Sequence, residues 1–224
     1  MLDHLHRFRL RAAALQSAAG IPVSDAADPA EVFVSYQVMP SHIDEFREPV
    51  IPGNSVVIDI ETLDQTPRSV ITEIGVVAFV RQNFKPFASI DLRLDLFDQI
   101  ATRQVSADTI AFHRKNGTLP KLEGGLSRFL AAAKLTEFFA LHKPKHVWIQ
   151  GPCFDRPILE DFFADLGQPL PWRYSLSRDC RTLWDTTFPG VKHPPRPHCA
   201  VNDAFATLYC LEEALTALGR RHAC

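Results

Sequence analysis

From residue 55 onward, the spacing of apolar and polar positions divides this chain into strands and helices. Residues 55–61, Ser-Val-Val-Ile-Asp-Ile-Glu, form an apolar, β-branched run that ends on two acids, the composition of a buried strand. Alternation places Val57, Asp59 and Glu61 on one face and Val56, Ile58 and Ile60 on the other. A polar loop over 62–68 leads to a second β-branched run at 70–81 and a third strand at 87–94. Short connections between the three predict an antiparallel meander. Helices are then expected over 106–116 and 122–141, the second with Leu126, Phe129, Leu130 and Ala133 on its apolar stripe. Gly117 and the pair Gly124-Gly125 punctuate them. A strand at 146–150, a helix at 154–166, a strand at 173–180 and a closing helix at 204–218 complete the pattern, with Gly219 just past the last helix.

Upstream, Leu2, Leu5, Phe8, Leu10 and Leu15 stand among Arg7, Arg9 and Arg11, a pattern compatible with a basic amphipathic helix that ends at Gly20. A docking helix fits this stretch better than an organellar transit peptide. Residues 21–53 are rich in Pro, Asp and Ala. The chain therefore reads as an N-terminal arm or linker over 1–53 and one α/β domain over 54–224.

Composition narrows the partners. The 224 residues are 46% hydrophobic, enough for one packed core. A formal net charge of -2 provides no global basic field, so a nucleic-acid partner must be held by a local patch or by metal ions. Five widely spaced cysteines without a secretory leader point to reduced thiols and a cytoplasmic location. No apolar run approaches the ~20 residues of a membrane helix, so no membrane partner is expected.

The chemistry lies in the acids. Asp59 and Glu61, side by side on a buried face, repel each other unless a divalent cation joins them. The competing reading ends the strand at Ile58 and leaves both in a solvated turn. Asp155 opens a helix just after the strand 146–150, where α/β sheets commonly bind ligands, although it also suits a helix cap. Asp203 opens the last helix five residues after His198, again in a position that a cap explains. His113 either faces a substrate or lies on a helix surface. Arg178, Asp179 and Arg181 either pair with one another or reach phosphate. Cys180, His193, His198 and Cys199 do not match a usual zinc spacing.

Asp-x-Glu at the end of a first strand, Phe-Asp after a later strand and His-x-Ala-x-x-Asp before a last helix form a joint pattern. It resembles the three motifs of the DnaQ-like, DEDDh 3′-to-5′ exonucleases. The stretches VVIDIETL, ITEIGVVAF, GPCFDRPILEDFF, LPWRYSLSRDCRTLWD and HCAVNDA are most similar to the small exoribonuclease and exonuclease VIII-type branch. The resemblance covers Asn54 to Leu218 and implies an α/β, ribonuclease H-like mixed five-stranded sheet flanked by helices.

It further implies that Asp59, Glu61, Asp155 and Asp203 bind two divalent ions, Mg²⁺ or Mn²⁺, and that His198 accepts a proton from the attacking water. Nearby carboxylates are expected to raise the His198 pKa and the metals to offset that shift. Thr62 and Leu63 are expected under the terminal nucleotide, with His113 as a further substrate contact. The implied partner is RNA or DNA with a free 3′ end, and a homodimer is an expectation from the same resemblance. Asn202 stands where many relatives carry an acid, and Gln150, Gly151 and Pro152 stand where proofreading relatives often place an Asn. A ribonuclease H-like endonuclease and a non-catalytic nucleic-acid-binding module remain the alternatives.

Overall fold

The computed structural model describes residues 54–120 and 124–221; the expected N-terminal arm lies outside them. The first three strands, β1 (Asn54–Thr62), β2 (Ile71–Val80) and β3 (Lys85–Arg93), form the expected antiparallel meander. After α1 (Ala107–Asn116) and α2 (Arg128–His142) come β4 (His146–Ile149) and α3 (Asp155–Asp165). A single 3-10 turn at Tyr174–Leu176 leads into β5 (Ser177–Asp179), followed by α4 (Cys180–Thr187) and α5 (Ala200–Arg221). The sheet order is β3-β2-β1-β4-β5, with β4 parallel to β1 and β5 parallel to β4.

The alternation in β1 divides the core. Val56, Ile58 and Ile60 pack with Phe138 and Phe139 of α2 and with Ile158, Leu159 and Phe162 of α3. On the opposite face, Val57 joins Val77 and Phe79 of β2, Trp184 of α4 and Ala204, Phe205 and Leu208 of α5. Each fully buried Ile, Leu or Phe contributes about 1.5–3 kcal/mol of transfer free energy, so this two-faced packing fixes which way Asp59 and Glu61 point.

Helix ends follow local chemistry. The Ser106 hydroxyl accepts from the Thr109 amide to start α1, and Gly117, at φ 69°, closes it in a left-handed conformation that suits glycine. Ser127 and Asp179 cap α2 and α4 in the same way, through the amides of Leu130 and Thr182.

Several expectations need correction. The second helix starts at Arg128 because Ser127 supplies its cap. Its buried face runs through Ala131, Leu135, Phe138 and Phe139, whereas Phe129 is 60% exposed and Leu130 is exposed too. Apolar residues surround this helix, so its periodicity alone selected the wrong stripe. The strand expected over 173–180 shrinks to three residues, and the helix α4 that follows was not foreseen. The closing helix begins at Ala200 rather than Ala204 and runs through Gly219 to Arg221.

Candidate active site

The carboxyl ends of β1 and β4, adjacent parallel strands, open into a cavity of about 600 Å³. Asp59 and Glu61 enter it from β1, Asp155 from the first turn of α3 beyond β4, and His198 and Asp203 from the start of α5. Because β1 continues to Thr62, the reading that places both acids in a solvated turn is excluded; Asp59 is 7% exposed. The cap readings also fail. Phe154 is the N-cap of α3 and makes no side-chain cap bond, while the Asp155 carboxylate accepts from the Ile60 amide at 3.3 Å. Asp203 lies in the first turn of α5, 1% exposed, and its Oδ1 has no hydrogen-bond partner among the described residues.

Two residues of β2 bring α5 this close. Gly75 pairs with Asp59, and Glu73 with Glu61, across the β1–β2 ladder, and residues directly opposite share a face of the sheet. A Cβ at Gly75 would lie 2.2 Å from Ala200 C and Val201 N. The bare glycine thus seats the first turn of the helix on the sheet. Glu73 Oε2 accepts from the Ala200 amide at 3.1 Å, satisfying a donor that a helix start leaves open. Asp203 consequently stands over Asp59 and Glu61.

The loop from Pro189 to Cys199 delivers His198 and an arginine. Trp184 Nε1 donates to Val191 O at 3.0 Å, and the Gln150 amide nitrogen lies 3.0 Å from His193 Nδ1, which ties the loop to α4 and to the end of β4. His198 adopts φ 54°, a left-handed conformation that costs about 1–3 kcal/mol for a residue with a Cβ. Its Nδ1 lies 4.0 Å from Glu61 Oε1, and its ring meets Phe112 edge-on at 4.9 Å. Arg196 Nη1 donates to Asp59 Oδ1 at 2.8 Å, and Nη2 to Thr207 Oγ1 at 2.5 Å.

Burial dominates the electrostatics. It pushes Asp59 up to about 6, although the Arg196 charge and hydrogen bond pull the other way. Glu61 rises to about 9, through burial and then the charges of Asp59 and Asp203. Asp203 rises to about 7 through burial and Asp59. Asp155 lies well above the ordinary carboxylate range for the same two reasons. The protons of such a cluster belong to the group rather than to one residue. His198 departs from the expectation: burial, then the charges of His113 and Arg196, lower its pKa, leaving a neutral imidazole at neutral pH.

The donor set fits divalent metal. Ligand atoms of Glu61, His198 and Asp203 lie within 4.8 Å of one another, and the buried, unpartnered Asp203 Oδ1 lacks the partner that a cation would be. Hard carboxylate oxygens suit Mg²⁺ or Mn²⁺.

The remaining candidates are placed as follows. Thr62 lines the cavity. Leu63 instead packs with Val70 and Leu96, and its amide and carbonyl bond to Val70 and Ser106. His113 also borders the cavity but is 3% exposed, so the helix-surface reading is wrong; its Nε2 lies 2.9 Å from Thr62 O and its Nδ1 3.0 Å from Thr118 Oγ1. Asp179 caps α4, and Arg178 donates to the Ser175 and Ser177 carbonyls; Arg181 reaches the cavity wall. Cys180 is buried in the core and donates to Thr207 O, and among the described residues Cys180, His193, His198 and Cys199 do not gather into a metal-ligating cluster. Arg196, Glu73 and Gly75 were missed; the only sequence signal for them was their position inside ITEIG and two residues before His198.

Comparison with known proteins follows this geometry. Similar solved structures include metal-free E. coli exonuclease I in complex with single-stranded DNA, at TM-score 0.58 and 14% identity over 75% of this chain and 41% of that one. The zinc-bound form of the same complex matches equally well, with the same identity and coverage. The nuclease domain of 3′hExo, a DEDDh family member bound to rAMP, matches at TM-score 0.54 and 15% identity over 73% of this chain and 92% of that one. These likenesses establish the ribonuclease H-like fold, and the chain spans less than half of the exonuclease I chains. No curated protein matches. A family model for the Rv2179c-like 3′-5′ exoribonuclease domain matches residues 54–215, and the chain belongs to that family.

Proposed function

We propose that this domain is a metal-dependent 3′-to-5′ exonuclease that hydrolyses the terminal phosphodiester of a nucleic acid and releases nucleoside 5′-monophosphates. The observation that carries it is the convergence of Asp59, Glu61, Asp155, His198 and Asp203 on one cavity at the carboxyl ends of β1 and β4. The family's description supports RNA as the first substrate to test. The complexes of exonuclease I with single-stranded DNA and of 3′hExo with rAMP support a single-stranded 3′ end.

Asp59, Glu61, Asp155 and Asp203 would hold two divalent ions, Mg²⁺ or Mn²⁺, which supply charge neutralisation and Lewis acidity at the scissile phosphate. The carboxylates fix that charge against one wall of the cavity. His198, with Nδ1 turned to Glu61, takes the proton of the attacking water at Nε2. Its depressed pKa keeps it neutral before the reaction, as a general base requires. Water oxygen bonds to phosphorus as the bond to the preceding 3′ oxygen breaks, and that oxygen takes a proton from solvent and leaves as the 3′-hydroxyl of the shortened strand. Phe112, edge-on to His198, and Thr62, which lines the same cavity, form the seat for the terminal nucleotide, and His113 holds Thr62 from behind.

A time course with 5′-labelled single-stranded RNA and DNA, in Mg²⁺, Mn²⁺ or EDTA, tests the reading. A metal-dependent ladder that shortens from the 3′ end and stalls at a 3′-phosphorothioate supports it. Uncut substrate in every condition would refute it, and cleavage past the block would make the domain an endonuclease. The homodimer rests on the resemblance alone and is read by sedimentation velocity; the cytoplasmic location rests on the cysteines, four of which are free thiols among the described residues. No helix among the described residues is long and apolar enough to cross a membrane.

A further inference from the structure

We infer that Arg196 is an exchangeable internal counter-ion of the acidic cavity, one that gives up Asp59 when a divalent cation binds and so restrains metal affinity. The inference rests on the exonuclease reading above. The guanidinium grips Asp59 Oδ1 at 2.8 Å with one nitrogen and Thr207 Oγ1 at 2.5 Å with the other. It is mostly buried, and it is the cation that opposes the burial-driven shifts of Asp59, Asp155 and Asp203.

Charge arithmetic sets the direction. Glu73, whose charge also reaches Asp59 and Glu61, has Arg93 as its own counter-ion at 3.7 Å; with Asp59, Glu61, Asp155 and Asp203 all ionised, one guanidinium leaves three negative charges uncompensated. Two divalent ions compensate all four and leave the guanidinium in surplus, repelled by the ions that share its cavity. The group that stabilises the metal-free cavity therefore opposes the loaded one, and linkage makes that opposition reciprocal. The surrounding chain constrains how the exchange occurs. Pro194, Pro195 and Pro197 flank Arg196 and fix φ on either side of it, so the side chain swings while the loop stays in place. Thr207, on the second turn of α5, anchors the guanidinium in its metal-free position.

The test is Mn²⁺ titration of the full chain, followed by the electron paramagnetic resonance of free Mn²⁺, with thermal unfolding of the same samples. Arg196→Met should bind Mn²⁺ about fivefold or more tightly than wild type. Its metal-free form should melt lower and gain more from added Mn²⁺. Thr207→Val, which removes the anchor and keeps the guanidinium, should shift affinity in the same direction by a smaller factor, and it decides the matter if Arg196→Met does not fold. Equal or weaker Mn²⁺ binding by the variants overturns the inference and leaves the exonuclease reading standing, since it would place Arg196 as a permanent support of Asp59. A wild-type protein that binds no Mn²⁺ overturns both.

Discussion

Asp59 and Gly75 face each other across the β1–β2 ladder, and the side chain that one of them lacks determines what stands over the other. At Gly75 the space for a Cβ is filled by backbone of Ala200 and Val201, 2.2 Å away, and backbone cannot move aside as a flexible side chain does. Gly75→Ala should lift the start of α5 from the sheet. Overpacking of this kind costs about 1–3 kcal/mol, and Asp203 should lose its position over β1. Exonuclease rate should fall by more than the loss of folded protein explains. An unchanged melting temperature and rate would show that the helix start has slack.

Glu73 should matter through its acceptor oxygen. Glu73→Ala leaves the Ala200 amide without its side-chain partner and should cost about 1 kcal/mol, in the range of a lost helix cap. Glu73→Gln keeps an acceptor and should recover most of the stability. Denaturant unfolding of both variants separates this capping role from a purely electrostatic one, for which Gln would behave like Ala.

The metal-free protein should weaken as pH rises. A carboxyl whose folded-state pKa lies above its unfolded value binds protons more tightly when folded, so its contribution is present at low pH and is lost as pH rises through the folded value. For Asp59, Asp203 and Glu61 that window runs from the unfolded range near 4 to about 9. Melting in EDTA between pH 5 and 9 should therefore fall, and saturating Mn²⁺ should flatten the curve. Glu61→Gln should melt higher than wild type in EDTA at the alkaline end, by about 2–4 °C for each kcal/mol of repulsion relieved in a domain of this size. A variant no more stable than wild type there would remove like-charge repulsion as the cause.

His198→Ala should retain Mn²⁺ affinity and lose about 10²–10⁴-fold in rate, the contribution typical of a general base. Asp203→Asn should lose both. If His198→Ala instead lost metal binding at unchanged protein stability, His198 would be a ligand, as its proximity to Glu61 and Asp203 also allows.

His113 is a structural prediction. Its ring nitrogens meet Thr62 O and Thr118 Oγ1, so His113→Phe should strand the buried Thr62 carbonyl and leave the half-buried Thr118 hydroxyl to solvent, at a cost of about 1–3 kcal/mol. The loss should appear in thermal unfolding and in KM, because Thr62 lines the cavity.

The sequence made β1, β2 and the acids legible because alternation and β-branched runs are local signals. Val57, Asp59 and Glu61 were placed on one face by parity alone, and the packing of Val57 against α5 agrees. What stayed hidden depends on contacts distant in the chain. The eight residues of α4, CRTLWDTT, are amphipathic but span little more than two turns, shorter than the stretch over which a helical period is read, and they hold their shape through Trp184 and Cys180 packing beneath α5. Arg196 is one basic residue among prolines, and its significance arises only when the loop folds back on Asp59, 137 positions away. The extra turn at the start of α5 was hidden because the residue that caps it, Glu73, belongs to another strand.

The two faces of β1 have a consequence for how such a domain can change. Val56, Ile58 and Ile60 belong to one core, and Val57, Asp59 and Glu61 to the opposite face, so consecutive codons of one short segment alternately specify folding and chemistry. A single-residue insertion or deletion before Asp59 would exchange the two sets, sending the acids among the phenylalanines of α2 and α3 and the isoleucines toward the cavity. Substitutions can silence this site one residue at a time, but a shift in length within the strand removes fold and activity together.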